Sequence, residues 1–91
     1  MTFDEPEYEK FKCLALAFKA LEMGGTATTV LNAANEVAVE KFLSKEISFA
    51  AIPTLIEEAL AQHTPTHGAT FNEIVRIDAE TRRSVELAAV H

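Results

Sequence analysis

A nine-residue stretch, residues 31–39 (LNAANEVAV), most constrains how this chain can fold, because its apolar residues recur with the period of an α-helix. A helix turns by about 100° per residue, so one face carries the apolar stripe of Leu31, Ala34, Ala38 and Phe42. Asn35 falls inside this stripe. A buried amide without a hydrogen-bond partner costs about 1–3 kcal/mol. The sequence therefore predicts that Asn35 is buried and that its amide bonds to a group outside its own helical turn.

A first helix is predicted from Glu7 to Met23, with Asp4 and Glu7 at the spacing of a capping box and a stop at Gly24-Gly25. Apolar residues occupy two sides of this helix. One side carries Phe11, Leu14, Ala15, Phe18 and Leu21, and the other carries Cys13, Leu16, Ala20 and Met23. Because a four-helix core needs only one apolar side from each helix, we expect the second side to be surplus. It would then promote self-association or be covered by residues 1–3.

Helix-breaking and helix-capping residues predict two more helices. Thr26 is predicted to cap a second helix that runs to about Ser44. Residues 47–49 (ISF) form a short extended connector with two apolar anchors, and a third helix begins near Ala51 with Pro53 in its first turn. Residues 64–68 (TPTHG) form a loop.

A fourth helical region is predicted to begin at Thr70, because Thr70 and Glu73 have the spacing of a capping box. Asp78 and Arg82 project from its apolar stripe, and two alternatives remain for them. Either they pair at i,i+4, or Asp78 caps a fresh helix after a break. The cap is favoured because Ile77 falls off the stripe, which consists of Phe71, Ile74, Val75, Val85 and Ala89.

Four amphipathic helices joined by short loops predict an all-α fold, an antiparallel four-helix bundle. With 91 residues, the chain should form a single domain over residues 1–91. The net charge of −6 argues against nucleic acid as a partner. No apolar run is long enough to cross a membrane, and the single cysteine, Cys13, fits a reducing compartment. These features favour a cytoplasmic protein.

The residues alone do not assemble a catalytic or cofactor site. His63 and His67 lie four residues apart, but Pro65 breaks the helix that would bring them to one face, so a metal site there is disfavoured. Residues 24–26 (GGT) could hold an anion at the start of the second helix, although a helix stop followed by a cap is the simpler interpretation. No glycine-rich turn follows a strand, so no dinucleotide fingerprint is present.

Four motifs together resemble the C-terminal part of 1-deoxy-D-xylulose 5-phosphate reductoisomerases, and the resemblance covers nearly the whole chain in order. The motifs are residues 11–17 (FKCLALA), 24–26 (GGT), 31–39 (LNAANEVAV) and 47–49 (ISF), together with the pair Asp78 and Arg82. The resemblance implies a structural motif, not a catalytic one, for Asn32, Asn35, Glu36, Asp78 and Arg82. Two positions depart from the usual family pattern: Lys12 replaces a proline and Thr81 replaces an alanine.

The family also implies where the chemistry lies. Such enzymes convert 1-deoxy-D-xylulose 5-phosphate to 2-C-methyl-D-erythritol 4-phosphate in non-mevalonate isoprenoid biosynthesis. Their NADPH and their divalent metal, Mg²⁺ or Mn²⁺, are held by an NADPH-binding domain and a catalytic domain. The motifs of those domains do not occur in this chain, so no cofactor is expected in it, and its partners would be those two domains.

Two other classes of function are alternatives to a reductoisomerase C-terminal domain. The first is a stand-alone acidic helical module that binds a partner protein through the second side of its first helix. The other is a small metal or ligand carrier, which would need histidines and carboxylates that converge, and the sequence does not offer them.

Overall fold

A computed structural model describes residues 6–89 of the chain. This part is all-helical, without strands, and its helices are α1 (Pro6–Met23), α2 (Ala27–Leu43), α3 (Ala51–Gln62) and α4 (Phe71–Ala89). The all-α prediction is confirmed, and the predicted bounds of the first three helices and the predicted start of the fourth agree closely with the structure. The predicted cap at Asp4 and the proposed cover by residues 1–3 lie outside the described residues. Among the helices described, none has the length and apolar character that a membrane span needs.

The central helix of the fold is α2, which packs against each of the other three. α1 and α4 both contact α2 and α3, but within residues 6–89 they do not contact each other. The side of α2 that enters the core is rich in alanine, so neighbouring helices can approach it closely. Its buried residues are Ala27, Val30, Ala33, Ala34, Val37 and Ala38.

A compact turn ends α2 and leads to α3. Lys45 has a φ of 64°, and the N–H groups of Lys45 and Glu46 donate to the carbonyls of Phe42 (2.9 Å) and Lys41 (2.9 Å). This is the hydrogen-bond pattern of a Schellman motif, with lysine at the position where glycine is usual. Beyond it, Ile47 and Phe49 pack against the core, as predicted for the two anchors of the connector. The rings of Phe42 and Phe49 meet edge to face, with centroids 5.3 Å apart.

The prediction for α1 is wrong about which side is surplus. Leu16 and Ala20 are buried, and Cys13 and Met23 pack against the core, so the second side is the one that the fold uses. The exposed side is the first. Its large residues are Phe11 (74% exposed), Leu14 (52%), Phe18 (61%) and Leu21 (65%). Among the described helices, α1 contacts α2 and α3 and not α4, so one side of it is covered. A small residue such as Ala20 can approach the alanine-rich side of α2 more closely than a phenylalanine could.

The predicted opening of α4 is confirmed. Thr70 N–H donates to Glu73 Oε1 (2.8 Å), and Glu73 N–H donates to Thr70 Oγ1 (3.2 Å), which is a complete capping box. The hydrogen bond from the Thr70 N–H lowers the pKa of Glu73, because it stabilises the carboxylate.

The predicted break in α4 is wrong. The helix continues from Phe71 to Ala89, so Asp78 lies inside it and does not cap a new one. Its buried residues are Ile77 and Val85, whereas Phe71 and Val75 are exposed. The buried side is therefore centred nearer Ile77 than the predicted stripe, and no change of phase is needed at residue 78.

Candidate functional site

Three residues of the predicted motif meet on the surface between α2 and α4. Arg82 Nε donates to Asp78 Oδ2 at 2.9 Å, four residues earlier on α4. Arg82 Nη2 donates to Glu36 Oε1 on α2 at 2.6 Å. The i,i+4 alternative for Asp78 and Arg82 is thus the one that the fold adopts, and the same guanidinium also connects the two helices.

This ionic cluster holds two helices together, and it does not resemble a reactive centre. The hydrogen bonds that Arg82 donates to Asp78 and, as a smaller cause, to Glu36 raise the pKa of Arg82 above its usual value, so the guanidinium stays charged. The side chains of Arg82 and Glu36 are 39% and 62% exposed, so solvent screens the pair. Exposed ion pairs contribute about 0–1 kcal/mol, which makes orientation of α4 on α2 their main effect.

The other two motif residues, Asn32 and Asn35, are exposed. The prediction that Asn35 is buried is therefore wrong. The buried side of α2 includes Val30 and Val37, which the predicted stripe left out. The buried side is therefore centred about 60° away from the predicted stripe, with Leu31 and Phe42 only partly buried and Asn35 outside it.

We expect Asn35→Ala to change the free energy of unfolding by less than about 0.5 kcal/mol, because an exposed amide already bonds to water. Urea denaturation of the isolated chain measures this. Thr26→Val is the matched control for a buried polar residue, since Thr26 is only 3% exposed, and it should cost about 1–3 kcal/mol. A loss for Asn35→Ala as large as that of the control would contradict the exposed position.

Asn32 and Asn35 line a groove between α1 and α2 with a volume of about 310 Å³. Its other walls are mainly apolar: Lys10, Cys13, Leu14, Ala17, Leu31 and Ile56. Burial, with Glu9 nearby as a smaller cause, raises the pKa of the Cys13 thiol. A thiol of raised pKa is protonated at neutral pH and is a poor nucleophile, so the groove is suited to contact and not to covalent chemistry.

A second polar cluster joins the start of α2 to the loop before α4. Thr26 Oγ1 accepts a hydrogen bond from Thr66 N–H at 3.0 Å and lies 2.6 Å from His63 Nε2. Thr26 N–H donates to the Thr66 carbonyl at 3.1 Å. The predicted side-chain cap by Thr26 is absent, because its ψ of 2° is far from the extended backbone that such a cap needs. The hydroxyl fastens the loop instead, a contact across 40 residues for which the sequence carries no local signal.

The Gly24-Gly25 turn lies directly under this loop. Both glycines have positive φ, 73° and 55°, and a Cβ on Gly25 would lie 2.6 Å from the Thr66 carbonyl oxygen. The N–H groups of Thr26 and Ala27 are bonded to the carbonyls of Thr66 and Gly24. The turn therefore ends α1 and packs against the loop. Because the N–H groups of Thr26 and Ala27 already have partners, they are not free to bind an anion.

The described residues do not fit a metal ion or a dinucleotide. Within residues 6–89, no three His, Cys, Asp or Glu side chains are placed to hold a metal. His63 Nε2 lies against Thr26 Oγ1, and Asp78 and Glu36 are both paired with Arg82. This part of the chain also lacks the strand, glycine-rich turn and helix that a dinucleotide site of the common type requires.

Comparison with known proteins places these features in a family context. The family model described as DXP reductoisomerase C-terminal domain matches residues 1–84. A 1-deoxy-D-xylulose 5-phosphate reductoisomerase of Caldanaerobacter subterraneus subsp. tengcongensis is 51% identical over 85 residues, which cover 93% of this chain and 22% of that protein. The protein of the same name from Xanthomonas campestris pv. campestris is 46% identical over 91 residues, 100% of this chain and 23% of its own length. The chain thus spans about a fifth of the length of the curated relatives that it matches. No solved structure matches it.

Proposed function

The chain belongs to the family of DXP reductoisomerase C-terminal domains, and from this we propose that it is the structural, non-catalytic C-terminal domain of a 1-deoxy-D-xylulose 5-phosphate reductoisomerase. The observation that carries the proposal is the match of nearly the whole chain to about a fifth of each relative. The whole enzyme would convert 1-deoxy-D-xylulose 5-phosphate to 2-C-methyl-D-erythritol 4-phosphate with NADPH, in non-mevalonate isoprenoid biosynthesis in the cytoplasm.

In this proposal the chemistry belongs to other domains of the longer protein. NADPH and a divalent metal, Mg²⁺ or Mn²⁺, would be bound by an NADPH-binding domain and a catalytic domain, which would be the partners of this chain. Two observations support the division. The carboxylates of the ionic cluster, Glu36 and Asp78, are bonded to Arg82, and the histidines His63 and His67 lie against the Gly24-Gly25-Thr26 turn.

The role left to this chain is that of a rigid support. We infer an antiparallel four-helix bundle that forms one domain over residues 1–91, and the pairwise contacts of α2 with the other three helices support it. Arg82 would set α4 against α2, and Thr26 would hold the loop that leads into α4. Asn32, Asn35, Glu36, Asp78 and Arg82 would then be structural or contact residues, and none of them catalytic.

The alternative of a stand-alone acidic module is not supported in the form that the sequence suggested. Its binding surface was to be the second side of the first helix, which includes Leu16 and Ala20. Those two side chains are 6% and 0% exposed, so that side is not available to a partner.

The isolated chain is expected to show no reductoisomerase activity, because the groups that would position a hydride donor and a metal-bound substrate lie elsewhere. The purified chain, mixed with 1-deoxy-D-xylulose 5-phosphate, NADPH and Mg²⁺, should leave the NADPH absorbance unchanged. A full-length relative serves as positive control. NADPH consumption that is proportional to the amount of chain and abolished by a chelator would overturn the proposal.

A further inference from the structure

The outer side of α1 carries a continuous apolar stripe that no described helix covers. Its members are Phe11, Leu14, Phe18 and Leu21, which are 52–74% exposed, and they are referred to below as the α1 outer face. Their spacing of three, four and three residues aligns them along about 15 Å of helix. Single exposed apolar residues are common on proteins, but a continuous stripe that includes two phenylalanines marks an interaction surface.

A second, shorter group of exposed apolar residues, Phe71, Ile74 and Val75, covers only the first turn of α4. Leu43 is the last residue of α2, Phe71 is the first of α4, and Leu87 lies near the end of α4. Among the described helices, α1 carries the longest run of large exposed apolar residues. The reason is its position at one edge of the fold, where α2 and α3 contact one side of it and α4 does not reach it.

The α1 outer face continues into the groove between α1 and α2. Leu14 belongs both to a hollow of about 330 Å³, formed with Glu7, Lys10 and Phe11, and to the groove that Asn32 and Asn35 line. The combined surface has an apolar centre and a polar margin of amide donors and acceptors. This is the composition of a protein–protein contact with a buried centre and a hydrogen-bonded rim.

We propose that the α1 outer face and the adjoining α1/α2 groove form the docking surface for the part of the longer polypeptide that precedes this segment. The inference rests on the proposed function and adds the surface through which the domain is held. The matching family is described as a C-terminal domain, and the chain spans about a fifth of its curated relatives, so in those relatives most of the remaining polypeptide would precede the matching segment. The exposed stripe begins near the N-terminal end of α1, the first of the described helices.

A covalently linked part of the same polypeptide is favoured over a second copy of the chain as the partner of this surface, because its effective concentration there is higher. A covalently linked neighbour meets the surface at an effective concentration on the order of millimolar, which exceeds the concentration of free copies in ordinary solution. Within the contact, Phe11 and Phe18 would enter apolar hollows of the neighbour. Asn32 and Asn35 would pair with its backbone groups at the margin.

The test measures how fast a maleimide labels introduced cysteines in two proteins. One is the isolated chain, and the other is a full-length chimera in which this chain replaces the matching segment of the Caldanaerobacter relative. Cys13→Ala removes this chain's own thiol in both, and labelling is read at the introduced cysteine by peptide mapping, so cysteines of the relative's own part do not interfere. Leu21→Cys reports on the α1 outer face, and Leu87→Cys on α4 is the matched control, since these leucines are 65% and 63% exposed. In the isolated chain a maleimide should label both at similar rates. In the chimera, labelling of Leu21→Cys should slow by about tenfold or more, while Leu87→Cys keeps its rate.

Equal labelling of the two cysteines in the chimera would overturn the docking surface, and so would equal protection of both. Protection of Leu21→Cys in the isolated chain that rises with protein concentration, together with dimers in sedimentation, would identify a second copy as the occupant and overturn it as well. Turnover by the chimera reports separately on the proposed function. An active chimera with an unprotected Leu21→Cys would refute the docking surface alone, and an inactive chimera with a protected one would refute the proposed function alone.

Discussion

Gly25→Ala is expected to destabilise the protein by about 2–4 kcal/mol, far more than the addition of one methyl group usually does. The backbone at Gly25 has a φ of 55°, which costs an alanine about 1 kcal/mol. The larger part comes from the new Cβ, which would lie 2.6 Å from the Thr66 carbonyl oxygen. The loop must then move away, and the hydrogen bonds between Thr66 and Thr26 weaken.

The chain offers a matched control for this prediction. Gly68 has a φ of 71°, but a Cβ there meets nothing within 4 Å, so Gly68→Ala should cost only the backbone strain of about 1 kcal/mol. Urea denaturation followed by circular dichroism gives both values. Equal losses for the two variants would mean that the loop does not rest on the Gly24-Gly25 turn.

Ile56→Ala is expected to cost about 3–4 kcal/mol, because the side chain is 1% exposed and its removal leaves a cavity that its neighbours cannot fill. A domain of this size is stable by about 5–10 kcal/mol, so the variant should lose a large part of its stability. Ile74→Ala on α4 is the control, since Ile74 is 38% exposed and its removal should cost about 1 kcal/mol or less. Similar denaturation midpoints for the two variants would contradict the position of the core.

The helix ends could be predicted from the sequence because their signals are local. Gly24-Gly25 stops α1, and Thr70 and Glu73 open α4 through bonds between residues only three apart. Each signal depends on the backbone of one short segment, so it does not require knowledge of the tertiary packing.

The buried sides of the helices could not be predicted as well, because they depend on which helices are neighbours. α1 is apolar on two sides, and the sequence does not reveal that α4 stays out of contact with it, so the wrong side was expected to be surplus. The same limitation affected Asn35. The side of α2 that meets the other helices includes Val30 and Val37, and Asn35 lies outside that side.

For the candidate site, the sequence offered the i,i+4 pairing of Asp78 with Arg82 as one of two alternatives, but it did not offer the contact of Arg82 with Glu36. Glu36 and Arg82 lie 46 residues apart in sequence, and nothing local indicates that they meet at 2.6 Å. The contact of Thr26 with His63 and Thr66 is equally non-local. By contrast, the two apolar sides of α1 did indicate a surface beyond the needs of the core, and this pattern is the sequence signal for the docking surface.

The central claim, that this chain is the C-terminal domain of a reductoisomerase and contributes structure without chemistry, is tested most directly by turnover of the full-length chimera. NADPH consumption is measured with 1-deoxy-D-xylulose 5-phosphate and Mg²⁺ for the chimera, for the isolated chain and for the unaltered Caldanaerobacter relative. The account predicts turnover by the chimera comparable to that of the relative, and none by the isolated chain. A folded chimera without turnover, or chelator-sensitive turnover by the isolated chain, would contradict it.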